Sequence, residues 1–82
     1  MYFLYVLRSL NYKRTYIGIT GDVTKRVREH NGGLARSTRF YRPYVLVHTE
    51  TFTNKSDARK REILLKKNWH EKEKLLKLVG IA

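Results

Sequence analysis

Apolar and polar positions change period several times along the 82 residues, and each change marks a predicted element. YFLYVLR at 2 to 8 is aromatic and β-branched with apolar residues on both alternating faces, the pattern of a strand buried on both sides. It is the predicted central strand. SLNYKR follows with Ser9 and Asn11, which can turn the chain, and TYIGIT at 15 to 20 alternates again, so the two runs read as a hairpin. In GDVTKRVREHNGG, Thr20 or Asp22 can cap a helix over 22 to 31, and Asn31-Gly32-Gly33 can adopt the left-handed conformation that closes it. From Leu34 to Pro43 the chain is basic and without period, which predicts a loop. YVLVHTETF at 44 to 52 is a third strand, with the single proline just ahead of it, where a missing N–H matters least. Asn54 and Asp57 resemble an N-cap pair, opening a helix through ARKREILLKK towards Trp69. HEKEKLLKLVGIA, with Glu71 and Glu73 four residues before Leu75 and Lys77, predicts a last helix.

The order β-β-α-β-α-α implies an α/β (α+β) fold, a small three-stranded antiparallel sheet flanked by helices, and a chain of this length forms one domain over 1–82. Composition narrows the chemistry. A hydrophobic fraction of 41% with six Tyr, three Phe and one Trp builds a core without disulfides. The lack of cysteine excludes a thiol nucleophile and a thiolate zinc site and fits a reducing cytoplasm. MYFLYVL has no basic region ahead of it and is cut short by Arg8, so it reads as a strand and not as a signal peptide. No apolar run approaches the roughly 20 residues that cross a bilayer, and no membrane partner is expected. Charge changes the picture most: 18 Lys and Arg against 7 Asp and Glu give +11 and a pI near 10.3, which predicts a polyanion partner bound in a salt-dependent way.

Three placements could carry chemistry. Arg26 and His30 stand one helical turn apart and can reach one phosphate together, although a solvated arginine and a helix-terminal histidine give the same spacing. In the helix after Asn54, Glu62 shares its azimuth with Ala58, Leu65 and Trp69, so a carboxylate points inward. It needs a cationic partner, either a divalent metal or an arginine, with Arg61 or Arg26 as candidates. Tyr16 shares a strand face with Gly18, where the missing side chain lets another group come close, and hairpin register can bring Tyr5 alongside. Tyrosine is also simply favoured in strands. His48 and His70 lack a third ligand at any metal-site spacing, and neither is given a role.

Taken in order, FLY at 3 to 5, YIG at 16 to 18, RVREH and SDARKRE resemble the motifs of the GIY-YIG nuclease superfamily, especially its small stand-alone bacterial members. The first motif lacks its glycine but keeps its tyrosine, and Ile19 stands where some members have lysine. The resemblance implies a metal-dependent endonuclease that hydrolyses phosphodiester bonds in DNA, with a role in repair or recombination. It implies that Tyr5 or Tyr16 helps activate the attacking water, that Arg26 steadies the phosphate, and that His30 assists proton transfer or holds a tyrosine. Glu62 would hold a single Mg²⁺ or Mn²⁺. These residues contain no attached DNA-binding domain, so target choice is expected from Lys25, Arg36, Arg39 and Arg42, or from a partner protein. The alternative is a non-catalytic nucleic-acid-binding module with the same fold, supported by Arg39, Phe40 and Tyr41.

Overall fold

A computed structural model of the chain describes residues 1–80. The predicted order holds: β1 (Tyr2–Ser9), β2 (Thr15–Thr20), α1 (Val23–Asn31), β3 (Tyr44–Phe52), α2 (Lys55–Lys67) and α3 (Trp69–Leu78). The sheet is antiparallel with order β2-β1-β3, so β1 is central as its two-sided apolar pattern requires. Its alternation sends Leu4 and Val6 to one face, where they pack with Ile17, Leu65 and Leu75 under α2 and α3. Tyr5 and Leu7 face the other way and join Tyr44, with Tyr16, Val27 and Tyr41 packed around them. Burying a leucine side chain of this kind contributes about 1.5–3 kcal/mol.

Local signals set the helix ends. The Asp22 side chain accepts the Lys25 N–H at 3.0 Å and Asn54 accepts that of Asp57 at 2.9 Å, caps worth about 1 kcal/mol each. Beyond α1 the chain turns at Gly33, whose φ of +78° favours glycine. Asn31 then ties the end of α1 to β3 by exchanging two hydrogen bonds, 2.6 and 3.0 Å, with the backbone of Tyr44.

Two expectations are corrected. The basic stretch before Pro43 contains a short 3-10 turn at Arg39–Tyr41, held by Tyr41 N–H to the Thr38 carbonyl. The stripe Ala58, Glu62 and Leu65 is buried as predicted, but Trp69 is exposed because α2 stops at Lys67. Asn68 is extended there, and its side chain accepts from the N–H groups of His70 and Glu71 to start α3 in a new direction. Ile81 and Ala82, the end of the predicted last helix, lie outside the described residues.

Candidate active site

The hairpin register sets Tyr5 opposite Gly18 and Leu7 opposite Tyr16, so these four residues share the α1 face of the sheet. The Tyr5 and Tyr16 ring centroids are 6.1 Å apart. Glycine at 18 answers to close approach. A Cβ there would lie 2.7 Å from the Tyr5 hydroxyl and 2.9 Å from the Tyr16 ring, so any side chain would push the phenols away.

Tyr5 is fixed from behind. His30, fully buried, sets Nε2 2.8 Å from the Tyr5 hydroxyl and Nδ1 2.6 Å from Thr38 Oγ1. The Thr38 hydroxyl donates its one proton to the Ala35 carbonyl at 3.3 Å, so it accepts from Nδ1–H and leaves Nε2 as the acceptor for the Tyr5 O–H. Burial, helped by the Arg26 cation and opposed by Glu29, holds the imidazole below its ordinary pKa, which keeps it in the neutral form this chain requires. Burial pushes the Tyr5 phenol up to about 12 against the pull of Arg26. At rest the site therefore holds a protonated phenol against a basic nitrogen.

This arrangement has two consequences for stability. With its folded pKa below the unfolded value near 6.5, His30 binds more protons in the unfolded chain, so its contribution is complete above that pH and is lost as pH falls. The thermal midpoint should drop between about pH 7 and pH 5.5, above the range in which carboxylates such as Glu50 titrate; a flat profile there would contradict a buried neutral imidazole. Thr38→Val keeps the shape but strands the Nδ1–H, which should cost about 1–3 kcal/mol in urea unfolding. Thr38→Ser should recover most of it, and equal losses for Val and Ser would remove the hydroxyl from the account.

Arg26 enters from α1, partly exposed, with Nη1 3.0 Å from Glu29 Oε1. The Tyr5 hydroxyl first, and Glu29 second, hold its pKa above the ordinary guanidinium value. His30 does not reach outward beside it, contrary to the expectation that both could touch one phosphate. The imidazole is turned inward against Tyr5.

Glu62 enters from α2, only 5% exposed. Its partners are neither of the predicted arginines: Arg61 pairs with Glu50 through bonds of 2.8 and 3.1 Å, and Arg26 with Glu29. Instead Arg59 Nη1 lies 2.8 Å from one Glu62 oxygen and Lys66 Nζ 3.1 Å from the other. These are the i−3 and i+4 positions on its own helix. Lys66 Nζ also stands 5.7 Å from the centroid of the Tyr16 ring.

An open cleft of about 870 Å³ joins the two halves, lined by Tyr5, Tyr16, Gly18, Arg26, Arg59 and Glu62, with Lys55 as a third cation. The cleft thus collects Tyr5, Tyr16, Arg26 and Glu62 from four elements, β1, β2, α1 and α2, with His30 behind. Lys25, Arg36, Arg39 and Arg42 do not line it. Among the described residues no group of three or more His, Asp or Glu could cage a metal ion. A divalent cation here would have Glu62 as its one carboxylate ligand, with Arg59 and Lys66 displaced from the two oxygens they now occupy and water completing the shell.

The family model of the GIY-YIG catalytic domain matches residues 1–76. This chain belongs to the GIY-YIG family. Its relatives include a UPF0213 protein of Halobacterium salinarum, 50% identical over 62% of this chain and 68% of that one. A UPF0213 protein of Staphylococcus epidermidis is 42% identical over 79% of each chain. The solution NMR structure of a UPF0213 protein from Bacillus halodurans matches with a TM-score of 0.56 and 32% identity, over 96% of this chain and 85% of that one. Membership places this GIY-YIG domain in a nuclease family and points to a nucleic-acid substrate. No helix among its described residues is long and apolar enough to cross a membrane.

Proposed function

We propose that this GIY-YIG domain is a divalent-metal-dependent endonuclease that hydrolyses phosphodiester bonds in DNA, in the cytoplasm and in the service of repair or recombination. The observation that carries this reading is the convergence of the Thr38–His30–Tyr5 chain, Arg26 and Glu62 on one cationic cleft. Arg26 faces the scissile phosphate and stabilises the charge that develops on its oxygens. The attacking water lies against the Tyr5 oxygen. As that oxygen takes the water's proton, Tyr5 passes its own to His30 Nε2, and the imidazolium keeps its Nδ1–H on Thr38. Tyr5 is therefore the relay and Tyr16 the cleft wall that orients the substrate. Glu62 would hold Mg²⁺ or Mn²⁺, which supplies Lewis-acid polarisation of the phosphate when bound. Arg59 and Lys66 then turn from Glu62 to the phosphates.

A non-catalytic module is the second reading, favoured by the two cations that already occupy both oxygens of Glu62. Incubation of the pure protein with Mg²⁺ or Mn²⁺ and a panel of duplex, branched and single-stranded DNA separates the two. Products that appear with metal and vanish with chelator support the enzyme; tight binding without products on any member of the panel supports the module.

A further inference from the structure

Beside the cleft, on the same face of the sheet, two loops that are far apart in sequence build an aromatic surface. Tyr12 comes from the β1–β2 hairpin, while Phe40 and Tyr41 come from the 3-10 turn before β3. The Tyr12 and Phe40 rings lie 6.1 Å apart, and the Tyr41 ring stands edge-on to both at 5.0 and 5.1 Å. Phe40 is nevertheless 72% exposed and Tyr12 48%. Rings gathered in this way without being buried are rare unless a partner covers them.

The surface is built and not incidental. Buried Ser9 donates its hydroxyl to the Tyr41 carbonyl at 2.7 Å and accepts the Tyr12 N–H at 3.2 Å, which pins the two loops together. Arg14 donates to the Tyr41 hydroxyl at 2.9 Å, with its guanidinium carbon 4.5 Å from the centroid of the same ring. The segments 10–14 and 34–43 carry Lys13, Arg14, Arg36, Arg39 and Arg42 and no acidic residue at all. Ring faces for stacking, rimmed by fixed positive charge, are the recognition chemistry of unpaired bases on a phosphate backbone.

Position completes the argument. Tyr41 packs on the same Tyr5, Leu7 and Tyr44 cluster as Tyr16 of the cleft. Ser9, beneath the surface, is four residues along β1 from Tyr5, about 13 Å at ordinary strand rise. We propose that the Tyr12–Phe40–Tyr41 surface, with Arg14, binds single-stranded DNA adjoining the bond in the cleft, so that the substrate is DNA with an unpaired segment beside the scissile phosphate. The choice of DNA and the placing of a scissile phosphate beside the unpaired segment rest on the endonuclease reading; stacking of unpaired bases does not.

The test is fluorescence anisotropy in chelator, where no cleavage occurs, with labelled oligothymidylate, a blunt duplex and the RNA counterpart of the single strand. Phe40→Ala, whose side chain is outside the core, should weaken oligothymidylate binding by about five- to a hundredfold, and duplex binding by less than about twofold. The thermal midpoint should be unchanged, and Phe40→Tyr should bind as the wild type does. Equal losses on single strand and duplex, or no loss on either, overturn the proposal, and a clear preference for RNA overturns its choice of DNA. Failure of the wild type to cut any DNA would strike the endonuclease reading alone, because this measurement does not depend on turnover.

Discussion

Arg26→Ala is expected to slow single-turnover cleavage by about 10²–10³-fold, the usual consequence of removing one preorganised donor from a developing oxyanion. Three features make the effect large. Arg26 is the cation that α1 aims at the Tyr5 end of the cleft, Glu29 holds its guanidinium in place, and the buried Tyr5–His30 pair behind it can supply no second positive charge until a proton has moved. Arg26→Lys should regain only part of the rate, since a point charge lacks the planar fork that meets two phosphate oxygens. Affinity for DNA should fall far less than the rate, because the other cleft cations remain. If the alanine variant lost rate and affinity in the same proportion, Arg26 would be a binding residue and not a transition-state contact.

Glu62→Gln should remove metal-dependent cleavage by about 10³-fold or more, corresponding to the several kcal/mol that a bound ion contributes to phosphoryl transfer. The change is close to isosteric and leaves the fold largely intact, since both ion-pair partners are more than half exposed and such pairs contribute about 0–1 kcal/mol. Its signature lies in the contrast between two measurements. Removing a negative charge from beneath Arg59 and Lys66 frees two cations for phosphate, so DNA binding in chelator should be equal or tighter while cleavage disappears. A variant that binds worse and cuts at a residual wild-type fraction would show Glu62 to be only a positioner of Arg59 and Lys66.

Most of the fold could be read from period alone. β1 was identifiable because an apolar run without alternation fits only the middle strand, and α1 and α2 because capping residues stand just ahead of each, Asp22, one of the two candidates, before α1 and Asn54 before α2. The inward aim of Glu62 followed from the same stripe as Ala58 and Leu65. Its partners Arg59 and Lys66 sit at helical neighbour spacing, but which of the nearby cations pairs with it is decided by the tertiary fold, which commits Arg61 to Glu50 and Arg26 to Glu29. Trp69 was misplaced because a single Asn can end one helix and start the next, and helical periodicity does not register that break.

The remaining errors were tertiary. Nothing in the spacing of Arg26 and His30 shows that the imidazole turns under Tyr5, since that depends on where α1 rests on the sheet. Thr38 lies in a stretch without period, eight residues from the histidine it orients, and no local pattern marks it. Tyr12 and Phe40 likewise meet only through tertiary contacts between the two loops, at Ser9, between Leu10 and Pro43, and between Arg14 and Tyr41.

The central claim is hydrolysis at this cleft, and the most direct measurement is single-turnover cleavage of DNA in ¹⁸O-labelled water with Mn²⁺, followed by mass spectrometry of the product phosphate. The account predicts one solvent ¹⁸O in the product of the wild type, with no product above background from Glu62→Gln. Product without ¹⁸O, or the same labelled product at the same rate from both proteins, would contradict it.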